Sequence, residues 1–199
     1  MVKDQQLIKK RREQMIKAAV TLFKQKGFHR TTTREIAKES GFSIGTLYEY
    51  IGSKEDILYL VCDSIYDEVR DNLVQRLNHD VEGIESLKSA IAALFKVIDD
   101  LQDEVLVMYQ ESKSLPKEAL AYVLQKENGM VAMIEEIMKQ CVARGDLDLS
   151  EDEVKLGANN ILVQAHMWTF RRWVVQSNYT LDEYIDLQTS LILKGLLKG

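Results

Sequence analysis

The residues of this 199-residue chain whose types could do covalent or metal chemistry are few and poorly arranged for it. His29, His79 and His166 lie far apart, and the two cysteines, Cys62 and Cys141, form no C-x-x-C motif. These five residues make no metal-ligand spacing, and no carboxylate pair, glycine-rich phosphate loop or nucleophile with an adjacent base accompanies them. Neither an enzyme nor a bound metal or cofactor is expected. Both cysteines sit on the apolar side of helical patterns and read as small core residues. The stretch that can be read for function is Thr31 to Tyr50, TTTREIAKESGFSIGTLYEY, and its chemistry is that of binding.

Two short helix patterns make up that stretch. Thr32 with Glu35 three residues on is a capping box that starts the first, running to about Glu39. Gly41 can take the left-handed conformation that ends it, and Ser43 is placed to cap a second helix from Ile44 to about Ile51. Together they form a helix-turn-helix, whose second helix enters the DNA major groove while the first crosses the phosphate backbone. An ordinary αα-hairpin has the same spacing. Charge separates the two readings. Residues 1–54 carry 12 Lys+Arg against 5 Asp+Glu, a net of +7, whereas the remainder carries 14 against 26, a net of −12, together the −5 of the whole chain. A basic head on an acidic body attracts phosphate without the body competing for DNA.

The elements that must position this head are helical. A hydrophobic share of 46% with 29% charged residues is that of a soluble globular protein, and no apolar run reaches the ~18 residues of a membrane span. The N-terminus lacks the apolar core of a signal peptide, so a cytoplasmic location without membrane contact is expected. A single proline points to long uninterrupted helices.

Helix 1 is predicted from about Gln5 to Lys26, with Ile8, Met15, Ala19, Leu22 and Phe23 on one stripe and Gly27-Phe28 as its stop. Ala18, Val20, Phe28, Ile36, Ala37, Phe42 and Leu47 complete a three-helix core. The basic run Lys9 to Arg12 is either a solvated face or a further touch on phosphate. Ser53 and Asp56 then cap a helix of about 25 residues, with Ile57, Val61, Ile65, Val69 and Leu73 on one face, as a lever between head and body. Residues 78–83 read as a loop. Further helices are predicted over 84–101, 103–112, 116–144, 150–176 and 180–197, which makes an all-α chain of about nine helices. The predicted division is a DNA-binding domain over 1–53 and an effector-binding and dimerisation domain over 54–199. The last two long helices offer more apolar surface than one body can hide. A homodimer joined by an intersubunit four-helix bundle solves this, and its twofold axis suits half-sites ~34 Å apart; the alternative is a monomer whose helix over 150–176 is central in its own core.

The sequence resembles the TetR family of bacterial transcriptional regulators. The resemblance is carried by Phe23, Gly27, Phe28, Thr31 to Thr33, Ile36-Ala37, Gly41, Ser43, Gly45-Thr46-Leu47-Tyr48, Tyr50 and Ser53-Lys54-Glu55, in family order. It covers about the first 60 residues closely, and the body by helix count and length. It implies that Thr33 hydrogen-bonds phosphate and that Arg34 reaches a base edge or the backbone. Ser43, Ile44, Gly45 and Thr46 then face the groove, Tyr48 binds phosphate, Tyr50 lies two residues beyond, and Lys54 pairs with phosphate. Either tyrosine could instead be a core residue. The recognition helix offers little bidentate hydrogen bonding, so direct specificity rests on Arg34, on thymine-methyl contacts from Ile44 and Thr46, and on DNA shape.

The family also implies a small effector that shifts the spacing of two heads and releases a palindromic operator, as a repressor does. Phe95, Met108, Tyr109, Tyr122, Met130, Met133, Ile134, Met167, Trp168 and Phe170 are candidates for an apolar pocket, with core packing the alternative for any one of them. The segment HMWTFRRWVVQSNYTLDEY resembles that of members sensing long-chain acyl-CoA. Arg171 and Arg172 would then meet its anionic groups, unless they form a dimer rim or a surface salt bridge. The competing function is a helical dimer that carries a ligand or binds proteins without touching DNA.

Overall fold

The structure, a computed structural model, describes residues 2–77 and 80–196. Residues 78 and 79 of the predicted 78–83 loop, His79 among them, and Leu197 at the predicted end of the last helix lie outside the described residues. Among the described residues ten α-helices occur in the order α1 Val2–Lys26, α2 Thr33–Glu39, α3 Ile44–Tyr48, α4 Lys54–Arg76, α5 Ile84–Asp100, α6 Gln102–Glu111, α7 Lys117–Arg144, α8 Glu151–Phe170, α9 Arg172–Asn178 and α10 Leu181–Leu196. A 3-10 turn, Ser112–Ser114, precedes α7, and no strand occurs among the described residues. The expected all-α class is what the chain adopts.

Local signals set most of the boundaries. The predicted capping box of Thr32 with Glu35 is formed, and Ser150 with Glu153 forms another at the start of α8. Asp56 N donates to Ser53 Oγ at 3.2 Å, and the Asp56 carboxylate accepts from the Gly52 and Ser53 N–H groups at 2.8 and 2.9 Å. Glu183 and Thr180 cap α10 in the same reciprocal way. Each pair satisfies backbone donors that the helix itself leaves unpaired.

Contacts divide the chain into two compact units: residues 1–67 with 103–124, and residues 68–102 with 125–199. The divisions fall inside α4, between Asp67 and Glu68, and inside α7, between Leu124 and Gln125.

In the first unit Met15, Ala18, Ala19, Phe23, Phe28, Ile36, Ala37 and Leu47 are buried where α1, α2 and α3 meet. Four members of the predicted core differ, Val20 and Leu22 being half-buried. Ile8 is 41% exposed, and Phe42 is half-buried with the Arg11 guanidinium 5.6 Å from its ring centroid. The 25-residue α1 extends about 37 Å, far beyond the seven-residue α2.

In the second unit α5 packs on α8 and α10, with Leu87, Ile91, Leu94, Phe95 and Ile98 buried at helical spacing. Tyr184 of α10 lies between two rings, 5.6 Å from Phe95 and 5.0 Å from Trp168, and its hydroxyl donates to Gln164 O at 2.8 Å. Offset ring contacts of this kind add to the area that they bury. One predicted element is corrected: the helix over 150–176 breaks at Arg171 into α8 and α9. The break is stabilised because Gln176 Nε2 donates both to Trp168 O at 3.2 Å and to Gln102 Oε1 at 3.0 Å. Trp168 Nε1 donates to Asp99 Oδ1 at 2.7 Å. A carbonyl near the end of α8 thus finds a side-chain partner.

Candidate nucleic-acid interface

The interface begins at the Thr32 cap. Thr32 Oγ1 accepts from Glu35 N, and Glu35 returns its carboxylate to Thr32 N at 2.9 Å. Lys26 Nζ donates to the other Glu35 oxygen at 2.6 Å, tying the end of α1 to the first turn of α2. The Lys26 ammonium, together with Thr32, holds the Glu35 carboxyl down at about 2. The carboxylate is partly solvated, so this tie sets geometry more than stability.

Gly41, at φ +74°, closes α2: Gly41 N donates to Lys38 O at 3.1 Å and Phe42 N to Ala37 O at 2.8 Å. This pair of bonds is a Schellman motif, and its left-handed residue strongly favours glycine. Ser43 Oγ then accepts from Thr46 N at 3.0 Å and lies 2.9 Å from Thr46 Oγ1. The five-residue α3 is anchored by Leu47, at 0% exposure, while Ile44, Gly45 and Tyr48 face solvent.

Two of the expected phosphate ligands are brought together, with Thr33 Oγ1 on α2 lying 3.1 Å from Tyr48 OH on α3. Tyr48 is 51% exposed, so the pair presents its remaining hydrogen-bonding capacity outward. Arg34 is exposed on the same short helix, and Tyr50 is half-buried just beyond α3. Gly45 has a negative φ and is exposed; a Cβ added there would meet only Ser43 Oγ, at 3.7 Å, an ordinary contact. Nothing within the chain requires glycine at a helical position where it costs about 1 kcal/mol relative to alanine.

Lys54, expected to pair with phosphate, is occupied internally. Its ammonium donates to Phe28 O at 3.0 Å, Thr31 O at 3.1 Å and His29 O at 3.5 Å, and lies 4.2 Å from the Phe28 ring centroid. Three acceptors match the three N–H donors of an ammonium. The group therefore fastens the loop that leads into α2.

A second support comes from α6. Glu111 Oε1 accepts from Phe28 N at 3.1 Å, His29 Nε2 and Ser114 Oγ lie 3.2 Å apart, and Lys24 Nζ lies 3.0 Å from Glu104 and 3.3 Å from Asp103. The carboxylates raise the pKa of Lys24, Glu104 first. Sequence reasoning missed Glu111 and Lys26 in these roles. For Lys26 the signal was its place beside a stop glycine, but Glu111 lies 83 residues from its partner and gave none.

The eleven effector candidates are divided between the two units. Phe95, Met130, Ile134 and Trp168 are buried in the second unit, where Met133, Met167 and Phe170 are half-buried and Arg171 is exposed as the C-cap of α8. Met108, Tyr109 and Tyr122 belong to the first unit, with Met108 buried and the two tyrosines 59% and 42% exposed. Two clefts of the second unit, of about 560 and 670 Å³, are lined by other residues: one by Leu77, Ile137, Cys141 and Arg144, the other by Ser89, Ala92, Thr189 and Ser190. Burial pushes the Cys62 thiol up to about 12 and raises that of Cys141, so both are un-ionised core groups near neutral pH. Among the described residues no group of three or more His, Cys, Asp or Glu could hold a metal ion. No described helix is long and apolar enough to cross a membrane.

A capped and fastened helix-turn-helix in a basic head defines a DNA-binding regulator. The model of "Bacterial regulatory proteins, tetR family" matches residues 15–59, and that of "Tetracyclin repressor-like, C-terminal domain" matches residues 80–196. The chain belongs to the TetR family of transcriptional regulators. It is similar to the HTH-type transcriptional regulator HbdR of Aromatoleum sp. (strain CIB), at 29% identity over 99% of this chain and 85% of that protein. The HTH-type transcriptional repressor KstR2 of Mycolicibacterium smegmatis is 26% identical over 93% of this chain and 89% of its own. Among solved structures, a tetR-family protein from Rhodococcus RHA1 has the same fold, with a TM-score of 0.83 at 22% identity over 96% of this chain and 98% of that one. AibR in complex with isovaleryl coenzyme A and operator DNA shares it with a TM-score of 0.76 at 19% identity, covering 91% and 97% of the two chains.

Proposed function

We propose that this chain is a homodimeric repressor that holds a palindromic operator through Thr33, Arg34, Ser43, Ile44, Gly45, Thr46, Tyr48 and Tyr50, and that an apolar or amphipathic effector releases it. The observation that carries the DNA reading is the Thr33–Tyr48 hydroxyl pair, held at 3.1 Å beside an exposed glycine in a head of charge +7. The pair positions the head on phosphate; Arg34, Ile44 and Thr46 carry direct base readout. Lys54 acts on DNA through the loop it fastens. Functionally residues 1–53 are the DNA-binding domain and 54–199 the effector-binding and dimerisation domain.

Exposed apolar stripes support the dimer. Leu156 and Val163 on α8 are 63% and 64% exposed, and Leu187 and Leu191 on α10 are 51% and 62% exposed. At i, i+7 and i, i+4 spacing each pair lies on one helix face, as an intersubunit four-helix bundle requires.

The effector we propose is an acyl-CoA. AibR was solved with isovaleryl coenzyme A, and the Fatty acid metabolism regulator protein of Bacillus subtilis is 24% identical over 92% of this chain and 94% of that protein. Met108, Met130, Met133 and Met167 suit a site that reshapes around an acyl chain, with Arg171 for an anionic group, and the rest of the eleven candidates supply the lining. Such a ligand acts only by preferring the conformation whose heads cannot span the operator. Fluorescence anisotropy of operator DNA with the purified protein tests this. Addition of a short- and a long-chain acyl-CoA series is expected to free the DNA at some chain length; release by a drug-like cation but by no acyl-CoA contradicts it.

A further inference from the structure

The run Lys9-Lys10-Arg11-Arg12 is not used by the helix-turn-helix, and the structure separates its members. A cleft of about 510 Å³ lies between the first turns of α1 and the turn that precedes the recognition helix. Its walls are Leu7, Lys10, Arg11 and Gln14 on one side and Ser40 to Ser43 with Thr46 on the other. No carboxylate is among these lining residues. Lys10 and Gln14, one helical turn apart, stand over it as exposed side chains. Arg11 is drawn in, its guanidinium 5.6 Å from the Phe42 ring centroid, which fixes its charge at the cleft wall. Lys9 and Arg12, exposed on the same helix, do not line it.

We propose that this cleft seats a backbone phosphate of the operator, with Lys10 and Arg11 supplying charge and Gln14 and Ser43 neutral hydrogen bonds, while the Ser40 hydroxyl is spent on Ile36 O at 2.6 Å. The proposal rests on the DNA reading above and adds a contact outside the helix-turn-helix itself. Ser43 and Thr46 belong both to the cleft and to the proposed groove-facing surface, so a strand that the recognition helix reads passes the cleft mouth. An ammonium and a guanidinium on one wall, with hydroxyls opposite, match the charge and acceptor pattern of a phosphodiester. The contact carries no base information, so it tightens binding to any sequence.

The test is a salt series on Lys10→Gln, with Lys9→Gln and Arg12→Gln as controls, using full-length protein with operator and random duplexes. Each phosphate contact contributes about 0.9 to the slope of log K against log salt. Lys10→Gln is expected to lower that slope by about 0.9 per head on both duplexes, with Lys10→Arg restoring it; Lys9→Gln and Arg12→Gln leave it near that of the unsubstituted protein. Equal effects at positions 9, 10 and 12 would show a diffuse field and overturn the seated phosphate, as would an unchanged slope for Lys10→Gln. Absence of salt-dependent binding to every duplex overturns the DNA reading itself, a different outcome from either.

Discussion

Replacing Lys54 with methionine is expected to weaken operator binding roughly 100-fold without changing its salt slope. The substitution keeps most of the aliphatic stem against Phe28 but removes the ammonium that three carbonyls share. A hydrogen bond to a charged group contributes about 1.5–3 kcal/mol, and the acceptors left behind must find water. Even with part of this recovered by solvent, about 3 kcal/mol of order in residues 28–31 is lost, which is roughly a 100-fold change in an equilibrium constant. Thr31 is 1% exposed in that loop and its hydroxyl donates to Gly27 O at 2.9 Å, so the loosened segment is packed and leads directly into Thr32 and Thr33. A lysine that touched phosphate would behave otherwise: affinity would fall more at low salt than at high, and the slope would drop by about 0.9 per head. Equilibrium binding of Lys54→Met across a salt series distinguishes the two. Lys54→Arg, which keeps the charge but cannot place three donors around one nitrogen, is expected to recover only part of the affinity.

The second large effect is on stability against pH. His166 is 5% exposed on α8, and burial lowers its pKa to about 4 from an ordinary 6.5. The folded state therefore holds it neutral in a range where the unfolded chain takes up a proton. Stability from this source is complete above about pH 6.5 and is lost as pH falls through 6.5 towards 4. Between pH 7 and pH 5 the loss comes to about 2 kcal/mol. The carboxyls held below their ordinary range, Glu35, Glu151, Glu153 and Glu183, contribute stability present above about 4.5 and lost only below it, so they do not obscure this window. Urea unfolding at fixed protein concentration at the two pH values measures the difference, and His166→Gln is expected to flatten it. A pH loss of the same size in that variant would place its origin elsewhere.

What the sequence disclosed follows the range of the interactions. Caps at Thr32, Ser53, Ser150 and Thr180 join residues three apart, and Gly41 stops α2 through its own backbone, so these were legible. The break at Arg171 was not. The helical periodicity continues through Trp173 to Gln176, and the interruption is stabilised by a glutamine whose other partner, Gln102, is 74 residues away. The support that α6 gives the head was equally hidden, since Glu111 carries no sign of being bound to Phe28 N. Lys54 shows a further limit: a basic residue near the head suits either a phosphate or a ring of carbonyls, and only the fold decides which is within reach. Effector residues are the least legible, because Met, Phe and Trp line pockets and fill cores alike, and Phe95 and Trp168 are packed against Tyr184.

The central claim is that two copies of the Thr31–Tyr50 hairpin read one twofold operator. It is tested most directly by selecting fragments of the source genome on the purified full-length protein and measuring stoichiometry on the recovered site. The account predicts an inverted repeat with half-site centres about one helical turn, ~34 Å, or a small multiple of it apart, bound by an even number of chains. It also predicts that Tyr48→Phe weakens binding to this site by removing the hydroxyl next to Thr33. Recovery of fragments that share no repeat, or a single chain bound to an asymmetric site, would contradict it.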